Sequence, residues 1–367
     1  MSMEIMLVAV LTGLSTSLLG VFLVLRRLSM LSDAISHTVL LGIVLAFMVV
    51  NTLQSPLLMV GATLMGVITV YLIEILIKSR RVKEDAAIGI VFTLLFAVAV
   101  ILINTTLRNV HLDIDMVLLG NLEFVTFDRL SLFGVALPTS AWVMGGVFAV
   151  NVALIAIFYK ELKLVSFDYA LATALGFSPL VIHYVMMLMV SLTAVAAFNA
   201  VGAILVIALF VGPPITALQF TKTLFPTIVL TQMIAIMNSV IGYGVSFLAD
   251  VTIAGTIASM TLLSFLLAFL FAPKKGLIGR LYVRNKQKRF VALITLVLHV
   301  MSHEDDEAAD VENGVDTLHT HLGWSSVRTK RYISTAKKRN YVFEHNKQLM
   351  VTRKGQRVFQ SIDYKKV

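Results

Sequence analysis

The chain has no cysteine in 367 residues. Disulfide frameworks and thiolate metal centres are therefore excluded, and thiol usage says nothing about compartment. Any metal it handles meets oxygen and nitrogen donors or the thioethers of 17 methionines, which serve more often as apolar filler. Charge is scarce too: 14% of residues are charged against 58% hydrophobic, a balance that excludes a soluble globular domain and points to an integral membrane protein. No Gly-x-x-x-x-Gly-Lys-Ser/Thr loop occurs, so nucleotide binding by that route is excluded. A basic start followed by a small-residue cleavage site is also missing. Residues 5–25 are long enough to span and more spans follow, so they read as a retained helix.

Long apolar runs dominate what is present. A span needs roughly 20 apolar residues, and nine candidates satisfy this: 5–25, 30–50, 56–77, 86–107, 138–159, 180–198, 201–219, 225–248 and 251–272. The sixth and seventh are nearly continuous, which leaves eight spans as an alternative. Residues 113–130 are too polar to span and predict a short surface or re-entrant helix. With nine alternating spans, Arg26, Arg27, Lys78, Arg80, Arg81, Lys83, Lys160, Lys163 and Lys222 share one side, against Arg108 and Arg129 on the other. The excess of basic residues marks the cytoplasmic side. The N-terminus is then expected outside and the tail inside. Glu4, Asp113, Asp115, Glu123, Asp128 and Asp250 fall on the outer side, where an acidic mouth would concentrate cations or simply be solvated loop.

Charge divides the chain as well. Residues 1–273 carry 11 Lys and Arg against 12 Asp and Glu, while 274–367 carry 19 against 9. The expected organisation is a near-neutral membrane domain over 1–273, a basic linker over 274–288 and a basic soluble domain over 289–367. In the tail, helices are expected from 289, over 316–322, over 326–339 with Ser325 as N-cap, and over 353–362. A β-hairpin is expected over 340–352 with its turn at His345-Asn346-Lys347.

Within the second apolar run stand Asp33 and His37. Positions i and i+4 share a helix face, so one divalent cation can bridge this carboxylate and imidazole. Ionisable groups inside a membrane are costly and usually face a polar path. The pair predicts a metal-ion path; the alternative is an Asp–His hydrogen bond that locks two helices. Asn199, Asn238 and Asp250 are further polar residues within or at the edge of spans, able to complete a shell or to hold helices together. His183 reads as a local structural group, and His111-x-Asp113-x-Asp115 as loop chemistry or a relay site. In the loop after the fifth run, Asp168 is a candidate N-cap of a short Ala-rich helix that Gly176 ends before Pro179. Such a lever suits a cytoplasmic partner. His299-x-x-x-His303 with Glu307 suggests either a metal-sensing face or a solvated histidine pair.

Four blocks resemble one family. Arg27-Leu28-Ser29 with Asp33-x-x-Ser36-His37 and Gly42 resembles the second-helix signature of permeases from manganese, zinc and iron ABC importers. Phe167-Asp168-x-x-x-Ala172-x-x-x-Gly176 resembles their coupling segment. Residues 201–206 with Pro213-Pro214-Ile215-Thr216-Ala217, and Tyr243 through Asp250 with Gly255, resemble two later blocks. Val251-Thr252-Ile253 departs from that pattern in lacking the proline often found after the aspartate. The resemblance implies an all-α polytopic permease that is not itself an enzyme and holds no permanent cofactor. Its cargo would be manganese first, with zinc or iron as alternatives, coordinated by Asp33 and His37, with Asp250 and Asn199 as secondary candidates. It also implies a coupling helix carrying Asp168, Ala172 and Gly176, a cytoplasmic ATPase dimer, an extracellular metal-binding protein, and a second permease copy or paralogue in the lipid of a bacterial plasma membrane. The tail resembles the winged helix-turn-helix of metal-dependent repressors, with Arg328, Lys330, Arg331, Lys337, Lys338 and Arg339 on its recognition helix. Protein contacts are expected of it rather than DNA. The competing readings are a membrane-tethered metal-responsive DNA-binding regulator and an ATP-independent carrier. The segment 168–176 argues against both.

Overall fold

The computed structural model describes residues 3–52, 55–106, 122–132, 134–273, 276–304 and 309–357. The chain forms two compact units, Met1–Gly276 and Leu277–Val367. The first is a helical bundle of α1 (Met3–Leu25), α2 (Ser29–Val50), α3 (Pro56–Lys78), α4 (Glu84–Thr106), α5 (Thr139–Ile157), α6 (Tyr159–Phe167), α7 (Tyr169–Ala174), α8 (Pro179–Val201), α9 (Ala203–Leu218), α10 (Leu224–Ala249) and α11 (Ile253–Phe271). Among the described residues eight of these, namely α1 to α5, α8, α10 and α11, are long and apolar enough to cross a membrane.

The expected seventh span is shorter than the sequence suggested. α9 has 16 residues, about 24 Å at 1.5 Å per residue, less than a ~30 Å hydrocarbon layer. It is separated from α8 by Gly202 at φ 82° and ψ 160°, a conformation closed to residues with a Cβ. Two apolar helices therefore meet at one residue, with no polar loop to mark the break.

α1 is the most buried long helix. Its hydroxyls are satisfied within the helix: Thr12 donates to the Val8 carbonyl at 2.8 Å and Thr16 to that of Thr12 at 2.7 Å. With no water in the core, polar side chains must find such partners. Between helices, Thr69 donates to Thr38 at 2.8 Å, Ser191 to the Thr63 carbonyl at 2.9 Å and Asn151 to Thr193 at 3.0 Å. α2 and α3 approach so closely at Gly42 that a Cβ there would lie 2.5 Å from the Gly61 carbonyl oxygen, the small-residue contact on which membrane helices rely.

The helix expected over 113–130 is corrected. Residues 113–121 lie outside the described residues. Leu122–Phe127 is a short 3-10 turn, and Arg129–Leu132 (β1) pairs antiparallel with Val135–Pro138 (β2). The alternation Arg129-Leu130-Ser131-Leu132 has the strand period of two. Arg129 donates to Glu4 at 2.8 Å, so one acidic group of the expected outer mouth is paired.

The second unit contains α12 (Leu277–Ser302), α13 (Ala309–Glu312), α14 (Leu318–His321), α15 (Ser326–Lys338) and a hairpin of β3 (Val342–His345) and β4 (Gln348–Val351). Leu296, Val300, Leu318, Ile333, Val342 and Leu349 are central to its own apolar core. Ser325 is the N-cap residue of α15, though its hydroxyl makes no cap bond. The hairpin turn has two residues, not three: Asn346 and Lys347 lie at φ 49° and 64°, as a type I′ turn requires. The stretch 277–288, expected as linker, forms the first turns of α12; nothing between Leu277 and Arg289 stops a helix except the tolerated Gly279. A helix begins at 353 as expected and is described to 357.

Candidate metal path and coupling segment

α2 starts after Arg27, whose φ of 60° breaks the run from α1. The hydroxyls of its first turns bond to the helix itself: Ser32 to the Ser29 carbonyl at 2.8 Å and Ser36 to that of Ser32 at 2.7 Å. Asp33 and His37 are the remaining polar groups of this stretch. Asp33 Oδ1 and His37 Nε2 lie 3.6 Å apart, with side chains 41% and 31% exposed. That distance is too long for a hydrogen bond, and both residues sit on one helix, so the helix-locking alternative is not what the geometry shows. Two donors each ~2.1 Å from a metal at the tetrahedral angle are about 3.4 Å apart, so the pair fits a shared cation with little adjustment. The imidazole is held by stacking on Phe92 of α4, with centroids 5.4 Å apart, and by the edge of Phe96 at 5.8 Å. Asp33 lines a cleft of ≈ 560 Å³ with Ser29, Val211, Gly212, Ile215 and Thr261, drawn from α2, α9 and α11. Two donors leave the remaining coordination to water or to groups brought by other chains.

The secondary candidates do not join this pair. Asn199 is exposed in the last turn of α8, and Asp250 is the exposed C-cap of α10 at φ 53°. Antiparallel packing of α10 on α1, and of α3 on both α2 and α8, puts both at the end of the bundle opposite the start of α2. Asn238 is buried and donates to Ser264 at 3.1 Å, the helix-holding role. His111, Asp113 and Asp115 lie outside the described residues.

The segment after α5 folds as a rigid elbow. The Asp168 carboxylate accepts from the Leu171 amide at 2.9 Å and caps α7. At the other end Gly176, at φ 83°, donates to the Thr173 carbonyl at 3.0 Å, and Phe177 donates to that of Ala172 at 3.1 Å, the paired bonds of a Schellman stop. Ala172 is wholly buried against its own chain. The outward face consists instead of Phe167, Tyr169, Leu171, Leu175 and Phe177, all exposed.

One group was missed by sequence reasoning. Glu74 of α3 sits 2.6 Å from Nε2 of the buried His183 and accepts from Tyr184 at 2.9 Å, both on α8. Lys78 lies 3.4 Å from the same carboxylate. Burial holds the Arg26 guanidinium below its ordinary pKa, an effect that Glu74 and Tyr169 oppose without cancelling. Glu74 thus joins the end of α3 to the start of α8, and His183 is a partner in that junction. Glu74→Ala should lower stability by about 3 kcal/mol, because it strands buried polar partners. Lys78→Ala, at an exposed site, should change it by no more than about 0.5 kcal/mol. Thermal unfolding of the two variants in detergent checks the contrast; equal melting temperatures would refute it.

The polytopic helical bundle is that of a transport subunit, as its relatives show. Residues 1–272 match the ABC 3 transport family, and the chain belongs to that family as a multi-pass plasma-membrane permease. It is 43% identical over 355 residues to the zinc transport system membrane protein TroD of Treponema pallidum, covering 97% of each chain. It is 45% identical to the manganese transport system membrane protein MntD of Bacillus subtilis over 78% of this chain and 99% of that one. Among solved structures, PsaBC from Streptococcus pneumoniae in complex with Fab superposes with a TM-score of 0.63 at 29% identity, covering 74% of this chain and 92% of that chain.

Proposed function

We propose that the chain is the permease of an ATP-driven importer that carries a divalent transition metal, manganese in the first instance, into a bacterial cytoplasm. The Asp33–His37 pair carries this reading. Carboxylate with imidazole suits Mn²⁺, Zn²⁺ and Fe²⁺ alike, and an incomplete shell lets the ion leave. Relatives named for manganese and for zinc both support a metal cargo. Uptake of radioactive manganese by cells expressing the system, with zinc and iron as competitors, tests the choice; uptake blocked by equimolar zinc but not by iron would replace manganese with zinc.

The asymmetry of Lys and Arg supports an outer N-terminus and a cytoplasmic tail. The exposed apolar face of α7 supports docking to an ATPase dimer, with a second permease copy or paralogue across the path and an extracellular metal-binding protein delivering the ion. Helices α12 to α15 followed by a hairpin support a winged-helix reading of the second unit. Its basic helix α15 is partly engaged already: Arg328 lies 4.8 Å over Trp324 and Lys337 pairs with Glu344. This favours protein contact or regulation over DNA. Deleting residues 285–367 should preserve uptake and alter its response to intracellular metal. Loss of all uptake with normal subunit assembly would put the tail inside the transport cycle.

A further inference from the structure

We infer that the second unit holds a divalent-metal site of its own, built from His299, His303, Glu312 and His321. The donor atoms of His299, His303 and Glu312 all lie within 4.8 Å of one another. His321 adds Nδ1 at 3.0 Å from Glu312 Oε2, and His299 Nε2 lies 3.8 Å from that same oxygen. The rings of His299 and His303 are 4.8 Å apart and those of His299 and His321 are 6.2 Å apart. Three imidazoles therefore converge on one carboxylate. Histidine–carboxylate pairing alone needs one imidazole per oxygen, whereas three nitrogens and one oxygen form a shell for a first-row cation.

The donors come from three segments, the end of α12, α13 and α14, and the chain holds these segments together without a metal. The side-chain amide of buried Asn313 donates to the Val300 carbonyl at 3.0 Å, and the Asn313 backbone carbonyl accepts from the Leu349 amide of β4 at 3.0 Å. Glu312 is thereby fixed beside His299. One adjustment accompanies binding: His299 Nε2 lies 3.2 Å from the Glu312 carbonyl oxygen and must turn from it to a cation. The nearby His319 is engaged otherwise, with Nδ1 2.8 Å from the Asp316 carbonyl oxygen. A nitrogen-rich set favours Zn²⁺ over Mn²⁺, which prefers oxygen donors and binds more weakly to any such set. The site is independent of the transmembrane pair in sequence and in structural unit.

The test uses the full chain in detergent with Asp33→Ala and His37→Ala introduced, so that the transmembrane pair cannot contribute. Equilibrium dialysis against Zn²⁺ should give one bound equivalent per chain. Adding His299→Ala should weaken binding by at least about 100-fold, more than the loss typical of outer-sphere changes, whereas adding His319→Ala should leave it unchanged. Glu312→Gln, isosteric and suited to retaining the fold, should weaken it by at least about tenfold, and Mn²⁺ should bind at least about tenfold less tightly than Zn²⁺. No bound equivalent in the starting protein would overturn the site, as would wild-type affinity in both the His299 and Glu312 variants. Mn²⁺ binding as tight as Zn²⁺ would overturn the selectivity.

Discussion

Asp33→Ala or His37→Ala should reduce metal uptake by at least about 100-fold while the permease stays folded in the membrane. A cation entering the bundle gives up hydration water and must recover that energy from protein donors. Only two stand together on α2, so loss of either leaves one ligand where the ion needs several. The folded state has little at stake, because both side chains are part-exposed and their 3.6 Å separation is not a structural hydrogen bond. His37→Phe is a sharper variant: it keeps a ring for the stack on Phe92 and removes only the donor. Isotope uptake normalised to membrane protein is the measurement. Normal uptake by a well-expressed His37→Phe protein would remove the imidazole from the path.

Leu171→Arg should abolish copurification of the ATPase and, with it, uptake. This residue is exposed on α7 with Tyr169 and Leu175, an apolar patch open to a partner. A guanidinium there would be desolvated in a hydrophobic contact, at a cost of several kcal/mol if unpaired. Ala172→Arg should behave differently, because Ala172 is buried within its own chain. A large side chain would lift α7 off the permease before any partner is met, and the effect should appear as lower thermal stability. The conserving change Leu171→Met should retain both binding and uptake. Intact ATPase capture by Leu171→Arg would make the segment a connector and nothing more.

Much of the membrane unit was legible because apolar runs of about 20 residues have few alternatives. The exceptions have physical causes. The break at Gly202 is a matter of backbone angle inside an apolar run, so hydropathy passes over it. The β1–β2 hairpin is built from strands too short for their alternation to stand out. At the site, Asp33 and His37 were visible because helical spacing alone brings them together. The caps at Asp168 and Gly176 were visible because capping chemistry is local. Glu74 was not: a lone acid in an apolar helix shows no partner until α8 returns His183 and Tyr184 to it. The tail's histidines were seen only in part, since Glu312 and His321 reach His299 through the folding of three separate segments.

The double capping of α7 has a mechanical consequence. A segment hydrogen-bonded to itself at both ends has low compliance: load applied to one face is passed on instead of being absorbed by unwinding. Its foot leads through Phe177 to Pro179, one helical turn before His183. Load taken up by α7 therefore passes through the turn at residues 175–178 to the start of α8, beside the Glu74–His183 pair.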